Sequence, residues 1–593
     1  MKTRFKHFGF VSVILITIVL INFLPRTLSL NAVWSSDETI WLRRSHGFAT
    51  ALKRHEYAGT FQSYHPGVTT MWLGGLALWR EYGDTLSIAP KLVTREFLSP
   101  ARLSAVRLPV ALLTGLTILV IGLLLRRLLG NAVAFVGILF LALDPFLLGE
   151  SRRLHTDALA TLFLMVSLLC WLCYLETEIR RRRDIIFSGV CFGLACLSKS
   201  LAAGFVLFLP LLLFGYRSPR FKSSLLWAVL LWTTTVVASV ILVWPYLWTL
   251  RLGPIPLSPL LIIVVLGIAV VAARRHSERV SPDDGTSFTD GKRTSRIQAR
   301  LSKFAMACGL LGIIAILLSA SRLVLTHVYW ALTTPHEVPQ LFLGKISQAQ
   351  GGLYYLVYGI VCSAPLTAAL VVFAIWQLWK QRKQARSAFR VGLALLLFSC
   401  FYLWGLTLVA KKMARYLVIT APAWDVLAAI GAVSLIRLLQ NAVKKPVLTY
   451  GSLISILFLQ AAPVLSLHPN YGAYHHPAIP ADWIANNINQ GGGLGLDSAA
   501  EYLNDKPNAE QLTVYVTLLG GFLQYYFNGQ IHTFDTQTEL LESDYVVVYI
   551  RDKQIGWVPS TEFFQKLTLE HVIRINSVDY VWIYRVNESI TSH

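Results

Sequence analysis

The run ALLTGLTILVIGLLLRRLLGNAVAFVGILFLALDPFLL, residues 111–148, contains two apolar stretches separated by the pair Arg126 and Arg127. Each stretch is about as long as a helix must be to cross the apolar part of a bilayer. Similar runs recur along most of the 593 residues, of which 55% are hydrophobic and only 14% are charged, with a mean hydropathy of +0.55. Water-soluble domains carry roughly 25% charged residues. The sequence therefore predicts a polytopic all-α membrane protein and excludes a soluble enzyme, a disordered tail and a fibrous repeat.

About thirteen stretches are candidate membrane spans by length and apolarity. They cover residues 8–25, 103–125, 132–148, 158–178, 185–198, 201–215, 224–248, 254–273, 301–319, 351–378, 391–408, 417–438 and 447–465. Clusters of Lys and Arg occupy the N-terminus and every second loop, which places those parts in the cytoplasm and the two chain ends on opposite sides. The net charge of +21 comes largely from these clusters, so we expect no nucleic-acid partner. The first stretch is predicted to be an anchor, and a cleaved signal peptide is the alternative.

Three segments are not simple spans. The first outer loop, residues 26–102, contains VTTMWLGGLALW (68–79), which is too short to cross a bilayer and is typical of a helix in the membrane interface. The inner loop 274–300 is rich in Ser, Thr, Asp, Gly and Arg and is predicted to be flexible. Polar residues return from residue 468 onward. We therefore divide the chain into a membrane part, 1–467, and an outer soluble part, 468–593, called the C-terminal segment below.

The C-terminal segment is predicted to be an α/β domain. The sequence DSAAEYLNDKP (497–507) has the pattern of a helix that is stopped by Pro507. The stretches QLTVYVTLL (511–519), SDYVVVYI (543–550) and SVDYVWIYRV (577–586) are rich in Val, Ile and Tyr, as strands are. The Gly491 to Gly493 run is expected to form a turn, because no phosphate-loop motif surrounds it.

Two groups of acidic residues lie at the outer ends of spans. Asp37 and Glu38 follow the first span in WSSDETIWLRR, and Asp157 ends the sequence RRLHTD that opens the fourth. Helix capping by Ser36 or Asp37, or by Thr156 or Asp157, with Arg153 paired to Asp157, is the structural alternative. Ionisable groups beside spans usually face a cavity or a partner, however. We therefore predict that Asp37 and Asp157 meet and that one of these carboxylates acts as a general base.

Several cations share the same outer face, where positive charge is usually scarce. The candidates for binding a phosphate are Lys199 in LSKSLAAG, Lys412 and Arg415 in KKMARYLVITAP, Arg153, and His65 in the turn YHPG. Snorkelling of the lysines and arginines to lipid headgroups, and a solvated turn at His65, are the alternatives. A sugar on a polyprenyl phosphate fits this set of residues. Its tail dissolves between the spans, the cations hold its phosphate, and a carboxylate takes the proton of an attacking hydroxyl.

These motifs resemble the family 39 glycosyltransferases of the GT-C superfamily, which include protein O-mannosyltransferases and lipid A aminoarabinose transferases. The resemblance extends over residues 1–465 and depends mainly on the acids of the first two outer loops. It implies a bundle of about thirteen spans, a polyprenyl- or dolichyl-phosphate sugar as donor, and a single inverting displacement. It also implies Asp37 as the catalytic base, Asp157 as an acidic partner that orients acceptor or base, Glu38 as a supporting residue, and His65, Lys199 and Arg415 at the phosphate.

The expected partners are the lipid-linked donor, membrane lipids and an acceptor that is a protein, a lipid or a glycan, at the inner (plasma) membrane. No cofactor is expected. A divalent metal at His327, His336 and Glu337 is a weaker alternative, because their spacing fits no standard zinc site. A transporter or flippase of lipid-linked saccharide is the alternative function. We favour the enzyme, because we find no internal repeat and the charges lie at the outer ends of spans.

Overall fold

The structure is a computed structural model. It describes residues 16–32, 34–87, 97–177, 180–215, 222–249, 251–252, 255–256, 329–330, 332–443, 446–533, 543–558, 564–565 and 567–587. Apart from 255–256, the predicted spans 254–273 and 301–319 and the inner loop 274–300 lie outside the described residues, as do His327 and the start of the first predicted span.

Helices make up most of the described membrane part. In chain order they are α1 (Ile16–Thr27), α2 (Ser36–Lys53), α3 (Val68–Tyr82), α4 (Pro100–Leu129), α5 (Asn131–Leu143), α6 (Pro145–Ser151), α7 (Asp157–Glu176), α8 (Arg182–Ser198), α9 (Phe205–Phe214), α10 (Lys222–Val243), α11 (Tyr354–Cys362), α12 (Pro365–Lys380), α13 (Arg386–Leu408), α14 (Ala421–Val443) and α15 (Pro446–Leu467). Short 3-10 turns lie at Tyr57–Thr60, Gly83–Ser87, Ser200–Gly204, Pro245–Thr249 and Ala414–Thr420.

Four helical stretches among the described residues are long and apolar enough to cross a membrane. They are α4, α7, α13, and α14 together with the 3-10 turn that precedes it. Two bent helix pairs bring the number to six if each pair is one span. The helical, membrane-type character of this part is thereby confirmed, and the number of about thirteen spans stays a prediction.

The predicted span 132–148 is bent in the structure. It consists of α5 and α6, which are inclined by 65°. Pro145 begins the second helix, and the carboxylate of Asp144 accepts hydrogen bonds from the backbone N of Phe146 at 2.7 Å and Leu147 at 3.0 Å. A proline disfavours helical geometry in the residue before it, and a capping aspartate favours a new start. The two helices together remain apolar enough to count as one candidate span, bent at Asp144 and Pro145.

The predicted span 351–378 is divided more sharply. Its two halves, α11 and α12, meet at 109°. Ser363 and Ala364 are extended, and Pro365 begins α12. Because proline has no N–H to bond the preceding turn, a single helix cannot continue through this point without losing a hydrogen bond. The apolarity that suggested one span holds for both halves.

A buried arginine compensates for the bend after α5. Arg26 is 0% exposed and donates to the carbonyl oxygens of Leu141 and Ala142, both at 3.0 Å. These carbonyls lie in the last turn of α5, where helical partners are missing. Charge-assisted hydrogen bonds therefore join α1 to α5 inside the bundle.

The first outer loop is largely helical where the structure describes it. Helix α2 begins after Ser35, so the predicted cap at Ser36 or Asp37 was wrong. The backbone N and the hydroxyl of Ser35 both donate to Glu38, at 3.2 and 3.0 Å. Helix α3 contains the predicted helix 68–79 and follows Gly67, whose φ of 58° is left-handed. A Cβ at Gly67 would lie 1.9 Å from the ring of Trp41, so only glycine fits there.

The C-terminal segment contains a five-stranded sheet. Its elements are the helices α16 (Ala481–Asn487), α17 (Leu496–Asn504) and α18 (Ile550–Gln554) and the strands β5 (Thr513–Val516), β6 (Gln530–Thr533), β7 (Tyr545–Tyr549), β8 (Leu567–Ile575) and β9 (Val578–Val586). The preceding two-residue and three-residue strands β1 (Arg251–Leu252), β2 (Ile255–Pro256), β3 (Gln340–Phe342) and β4 (Lys345–Ser347) form two hairpins in the membrane part.

The sheet has the order β6-β5-β7-β9-β8. Strand β5 is parallel to β6 and β7, and β9 is antiparallel to β7 and β8. Side chains alternate between two faces, as strands require. Val514 and Val547 join the main core, whereas Tyr515 and Val546 belong to a small cluster on the opposite face. The predicted helix and three strands are present, and β6 and β8 were missed.

Candidate functional site

Asp37 and Arg415 form an ion pair at one end of the described helices. Asp37 lies in the first turn of α2, and Arg415 lies in the 3-10 turn Ala414–Thr420 that leads into α14. The guanidinium Nη1 donates to Oδ2 of the carboxylate. Both side chains are partly exposed, at 30% and 21% respectively. The carboxylate of Asp37 is therefore accessible to a ligand.

Asp157 meets the same arginine from the other side. Its carboxylate Oδ2 lies 3.4 Å from Nε of Arg415, and its Oδ1 accepts a hydrogen bond from the ammonium of Lys199. His155 Nδ1 lies 2.8 Å from Asp157 Oδ2. The Asp157 side chain is only 2% exposed. One arginine thus joins the two acids that the sequence predicted to meet.

The two acids have different electrostatic surroundings. Burial would raise the pKa of Asp37, but the charge of Arg415, helped by His155, lowers it to about 2. Asp37 is therefore ionised in the resting site. Asp157 is enclosed by Lys199, His155 and Arg415, which leaves little of its surface for a further partner.

Aromatic rings hold the charged groups in place. The ammonium of Lys199 lies 3.8 Å from the ring centroid of Tyr416, the neighbour of Arg415. Trp41, one turn after Asp37, packs edge-on against His155 with ring centroids 6.2 Å apart. Cation–π contacts of this kind favour a fixed position of the cation. Tyr416, Trp41 and His155 were not among the predicted site residues.

Glu38 joins three parts of the chain. It is 0% exposed and binds Arg107 of α4 through two hydrogen bonds, of 2.7 and 2.5 Å. It also accepts a hydrogen bond from the backbone N of Leu154 at 2.9 Å. Burial would raise its pKa, and Arg107 lowers it below the usual value. Glu38 therefore fixes α2 against the loop that carries His155 and Asp157.

The start of α3 also lies beside the cluster. Thr70 donates to the carbonyl of His155 at 3.3 Å, and the hydroxyls of Thr69 and Ser198 are 2.7 Å apart. Ser198 directly precedes Lys199. His65, in the turn before α3, is half-buried, and its ring lies 6.1 Å from that of Trp41. The structure thus places His65 near the site, on the far side of Trp41.

The other two predicted cations have partners elsewhere. Arg153 binds Glu150 at 3.3 Å rather than Asp157, because residues 152–156 are not helical and the four-residue spacing does not bring the pair together. The predicted pair of Arg153 and Asp157 was therefore wrong. The ammonium of Lys412 donates to the carbonyl of Val409 at 2.6 Å and caps the end of α13.

Glu150, His155 and Asp157 place one ligand atom each within 4.8 Å of one another. Such a set can hold a metal ion, but lysine and arginine already neutralise both acids. At the alternative site, His336 Nδ1 lies 2.9 Å from the carbonyl of Val338, and His327 lies outside the described residues.

Residues 97–244 match the family model described as dolichyl-phosphate-mannose-protein mannosyltransferase. The predicted resemblance to the protein O-mannosyltransferases is thereby confirmed over these residues. The matched segment contains Asp157 and Lys199, whereas Asp37 and Arg415 lie outside it. No curated protein sequence matches the chain.

The chain also aligns with solved structures of proteins from bacteria and archaea. ArnT from Cupriavidus metallidurans, in its apo state, is 13% identical with a TM-score of 0.44, and the alignment covers 99% of each chain. The oligosaccharyltransferase AglB from Archaeoglobus fulgidus is 14% identical with a TM-score of 0.44, covering 99% of this chain and 75% of that one. Arabinofuranosyltransferase AftD from Mycobacteria is 12% identical with a TM-score of 0.36, covering 98% and 40%.

Proposed function

We propose that the protein is an integral membrane glycosyltransferase. It moves a sugar from a polyprenyl phosphate, of the undecaprenyl or dolichyl type, to an acceptor hydroxyl at the outer face, with inversion at the anomeric carbon. The N-terminus is cytoplasmic and the C-terminal segment lies outside. The matched family, whose description names a dolichyl-phosphate sugar, supports this class of donor.

One observation carries the proposal: an accessible ionised carboxylate, Asp37, lies beside the partly exposed Arg415 and close to the buried Lys199, at the end of membrane helices. A lipid-linked sugar needs a hydroxyl activated on one side of its anomeric carbon and positive charge around the phosphate on the other. Asp37 supplies the first, and Lys199 and Arg415 supply the second.

The reaction follows from this placement. The acceptor oxygen attacks the anomeric carbon from the face opposite the phosphate, and its proton passes to the Asp37 carboxylate. The bond between the anomeric carbon and the phosphate oxygen breaks, and the electron pair leaves with the polyprenyl phosphate. Arg415 and Lys199 stabilise the negative charge that grows there. The proton on Asp37 then returns to solvent.

Arg415 has two competing partners in this scheme. In the resting site it pairs with Asp37 and holds the carboxylate pKa at about 2, which makes a weak base. A bound phosphate draws the guanidinium toward itself. Burial then raises the pKa of Asp37, so the carboxylate becomes a better base when donor is present. Donor binding and base activation are coupled through one side chain.

Asp157 has a positioning role in this proposal. Its carboxylate is too buried to reach an acceptor hydroxyl, but it holds Lys199, His155 and Arg415 in one arrangement. Glu38 supports the same arrangement through its hydrogen bonds with Arg107 and with the backbone N of Leu154.

The test is a transfer assay with purified protein, a panel of polyprenyl-phosphate sugars, and label followed into protein, lipid and glycan acceptors. We expect transfer from at least one donor and a loss of about 10²–10⁴-fold in Asp37→Asn, as for other general bases. Glu56→Gln, an exposed acid shortly after α2, is the matched control and should keep full activity. Movement of lipid-linked sugar across vesicle bilayers without any transfer would instead identify a flippase.

A further inference from the structure

The C-terminal segment brings one arginine to the edge of the site. Arg551 lies in the short helix α18, directly after β7. Two contacts fix this helix against the turn Gly491–Gly493. The backbone N of Gly493 donates to the hydroxyl of Tyr549 at 2.8 Å, and the backbone N of Gln490 donates to the side chain of Gln554 at 2.8 Å.

The glycine turn separates Arg551 from a residue of the membrane part. A Cβ at Gly491 would lie 3.1 Å from Cδ of Arg551, and a Cβ at Gly492 would lie 3.5 Å from Nη2 of Arg153. Both arginines therefore border the same turn. Arg153 binds Glu150, whose carboxylate is within 4.8 Å of His155 and Asp157. A chain of contacts through this turn, Arg153 and Glu150 therefore leads from Arg551 to the cluster that surrounds Asp157, although Arg551 comes from the other part of the chain.

The cations of the cluster are otherwise matched by acids. Arg415 pairs with Asp37, Lys199 with Asp157 and Arg153 with Glu150. The guanidinium of Arg551 forms no hydrogen bond or ion pair with any residue that the structure describes, and its Nε is buried without a partner. The neighbouring carboxylate of Asp552 is occupied by the backbone N of Leu519, at 3.1 Å.

An unsatisfied, half-buried guanidinium is costly, because its N–H groups lose water without gaining an acceptor. Burial lowers the pKa of Arg551, and the nearby acids Tyr549, Asp37 and Asp552 oppose that effect. Asp37 and Arg415 are therefore within electrostatic range of it. An anion that is part of the substrate would supply the acceptor that this guanidinium lacks.

We propose that Arg551 binds the phosphate of the lipid-linked donor, so that the C-terminal segment completes the donor site. This inference depends on the proposed function. A guanidinium presents paired N–H donors that match two phosphate oxygens, which an ammonium does not. In this proposal Arg415 and Lys199 bind the phosphate from the membrane part, and Arg551 binds it from the C-terminal segment.

The experiment measures binding of undecaprenyl phosphate to the full-length protein in detergent, with undecaprenol as the ligand that lacks phosphate. Three variants are compared: Arg551→Gln, Arg551→Lys and Lys553→Gln. Lys553 is the matched control, because it is an exposed cation on the same helix and its ammonium lies 4.0 Å from the ring centroid of Trp582.

We expect Arg551→Gln to weaken binding of undecaprenyl phosphate by about tenfold or more, the effect of losing a hydrogen bond between charged groups. Binding of undecaprenol should not change. Arg551→Lys should lie between Arg551→Gln and the wild type, and Lys553→Gln should bind like the wild type. If Arg551→Gln fails to fold, as seen by its melting temperature, Arg551→Lys decides the question.

The outcomes separate the two proposals. Equal binding of undecaprenyl phosphate by the wild type and Arg551→Gln overturns the role of Arg551 and leaves the proposed function standing. A wild-type protein that binds undecaprenol as tightly as undecaprenyl phosphate overturns the proposed function itself. Equal losses in Arg551→Gln and Lys553→Gln would mean that the phosphate senses only the net charge of the segment, which also contradicts a specific contact.

Discussion

Asp37 and Arg415 form an ion pair across 378 residues of sequence, and Arg415 also contacts Asp157. The pair is intact wherever Asp37 is ionised. Because its pKa is lowered to about 2, the attraction is fully present above the usual carboxyl pKa of about 4 and is lost only as the pH falls toward 2.

Arg415→Gln should shift the pH dependence of catalysis. Without Arg415, the effect of burial dominates and raises the pKa of Asp37. We therefore expect the acid limb of kcat/KM to move to higher pH, together with a lower rate. Profiles between pH 4 and pH 8 measure the shift. Lys411→Gln is the control, because it removes a nearby cation that pairs with no described acid, and it should leave the pH profile unchanged. If the acid limb of kcat/KM in Arg415→Gln stays where it is in the wild type, the pairing of Arg415 with Asp37 is contradicted.

Asp157→Asn should destabilise the protein as well as inactivate it. The change leaves Lys199 and Arg415 without their shared anion, and breaking a buried pair from one side costs about 3–5 kcal/mol. Thermal unfolding in detergent measures this loss. The double variant with Lys199→Gln removes the stranded charge and should regain stability without regaining transfer. Wild-type stability in Asp157→Asn alone would argue against the buried arrangement.

Glu38→Gln should lower stability and keep turnover, whereas Asp37→Asn should keep stability and lose turnover, although the two acids are adjacent. Glu38 is fully buried against Arg107, so the substitution should lower the free energy of unfolding by about 3 kcal/mol. The folded fraction should still transfer sugar, because Glu38 does not face the substrate. Melting temperature and turnover per folded molecule are the two measurements. A stable but inactive Glu38→Gln would move the base from Asp37 to Glu38.

Asp552 should make the C-terminal segment less stable at neutral pH. Burial raises the pKa of this carboxyl to about 6, against hydrogen bonds from Thr517 and Leu519 and the charge of Arg551. A raised carboxyl pKa favours the protonated folded state, so stability falls as the pH rises from about 4 to about 6, by ~3 kcal/mol. Unfolding of the wild type and Asp552→Asn across this range measures the difference. The free energy of unfolding of Asp552→Asn should change less with pH than that of the wild type. Parallel curves for the two proteins would contradict the raised pKa of Asp552.

Chelation should leave transfer unchanged, because lysine and arginine supply the positive charge in the proposed mechanism. The measurement is turnover after dialysis against a strong chelator, with and without added divalent ions. Loss of activity that a divalent ion restores would assign Glu150, His155 and Asp157 as ligands and would displace Lys199 from the acid that it now binds.

The sequence predicted those features that local pattern determines. Apolar length marked the helices, alternation marked the strands β5, β7 and β9, and basic loops distinguished the face on which Asp37 and Asp157 were placed. Strands β6 and β8 were missed because both lie at the edges of the sheet, where fewer side chains are buried and the apolar pattern is weak. The bends at Pro145 and Pro365 were missed because apolarity continues across them.

The site could be predicted only in part for a related reason. Residue type and outer position singled out Asp37, Asp157, Lys199 and Arg415. Which cation binds which acid depends on packing between distant segments, so Arg153 was paired with the wrong partner and Arg551 was not considered. The RRLHTD motif contained His155, but nothing in its spacing showed that the imidazole would face Asp157.

The long separation of Asp37 from Arg415 has a consequence for synthesis. Asp37 leaves the ribosome early, Lys199 and Asp157 follow, and Arg415 and Arg551 emerge last. A nascent chain that stops before Arg415 would still insert most of its helices into the bilayer. Asp37 would then have no guanidinium partner, and two of the three residues proposed to bind the phosphate, Arg415 and Arg551, would be missing. Premature termination should therefore yield an inert product rather than one that wastes activated sugar by hydrolysis.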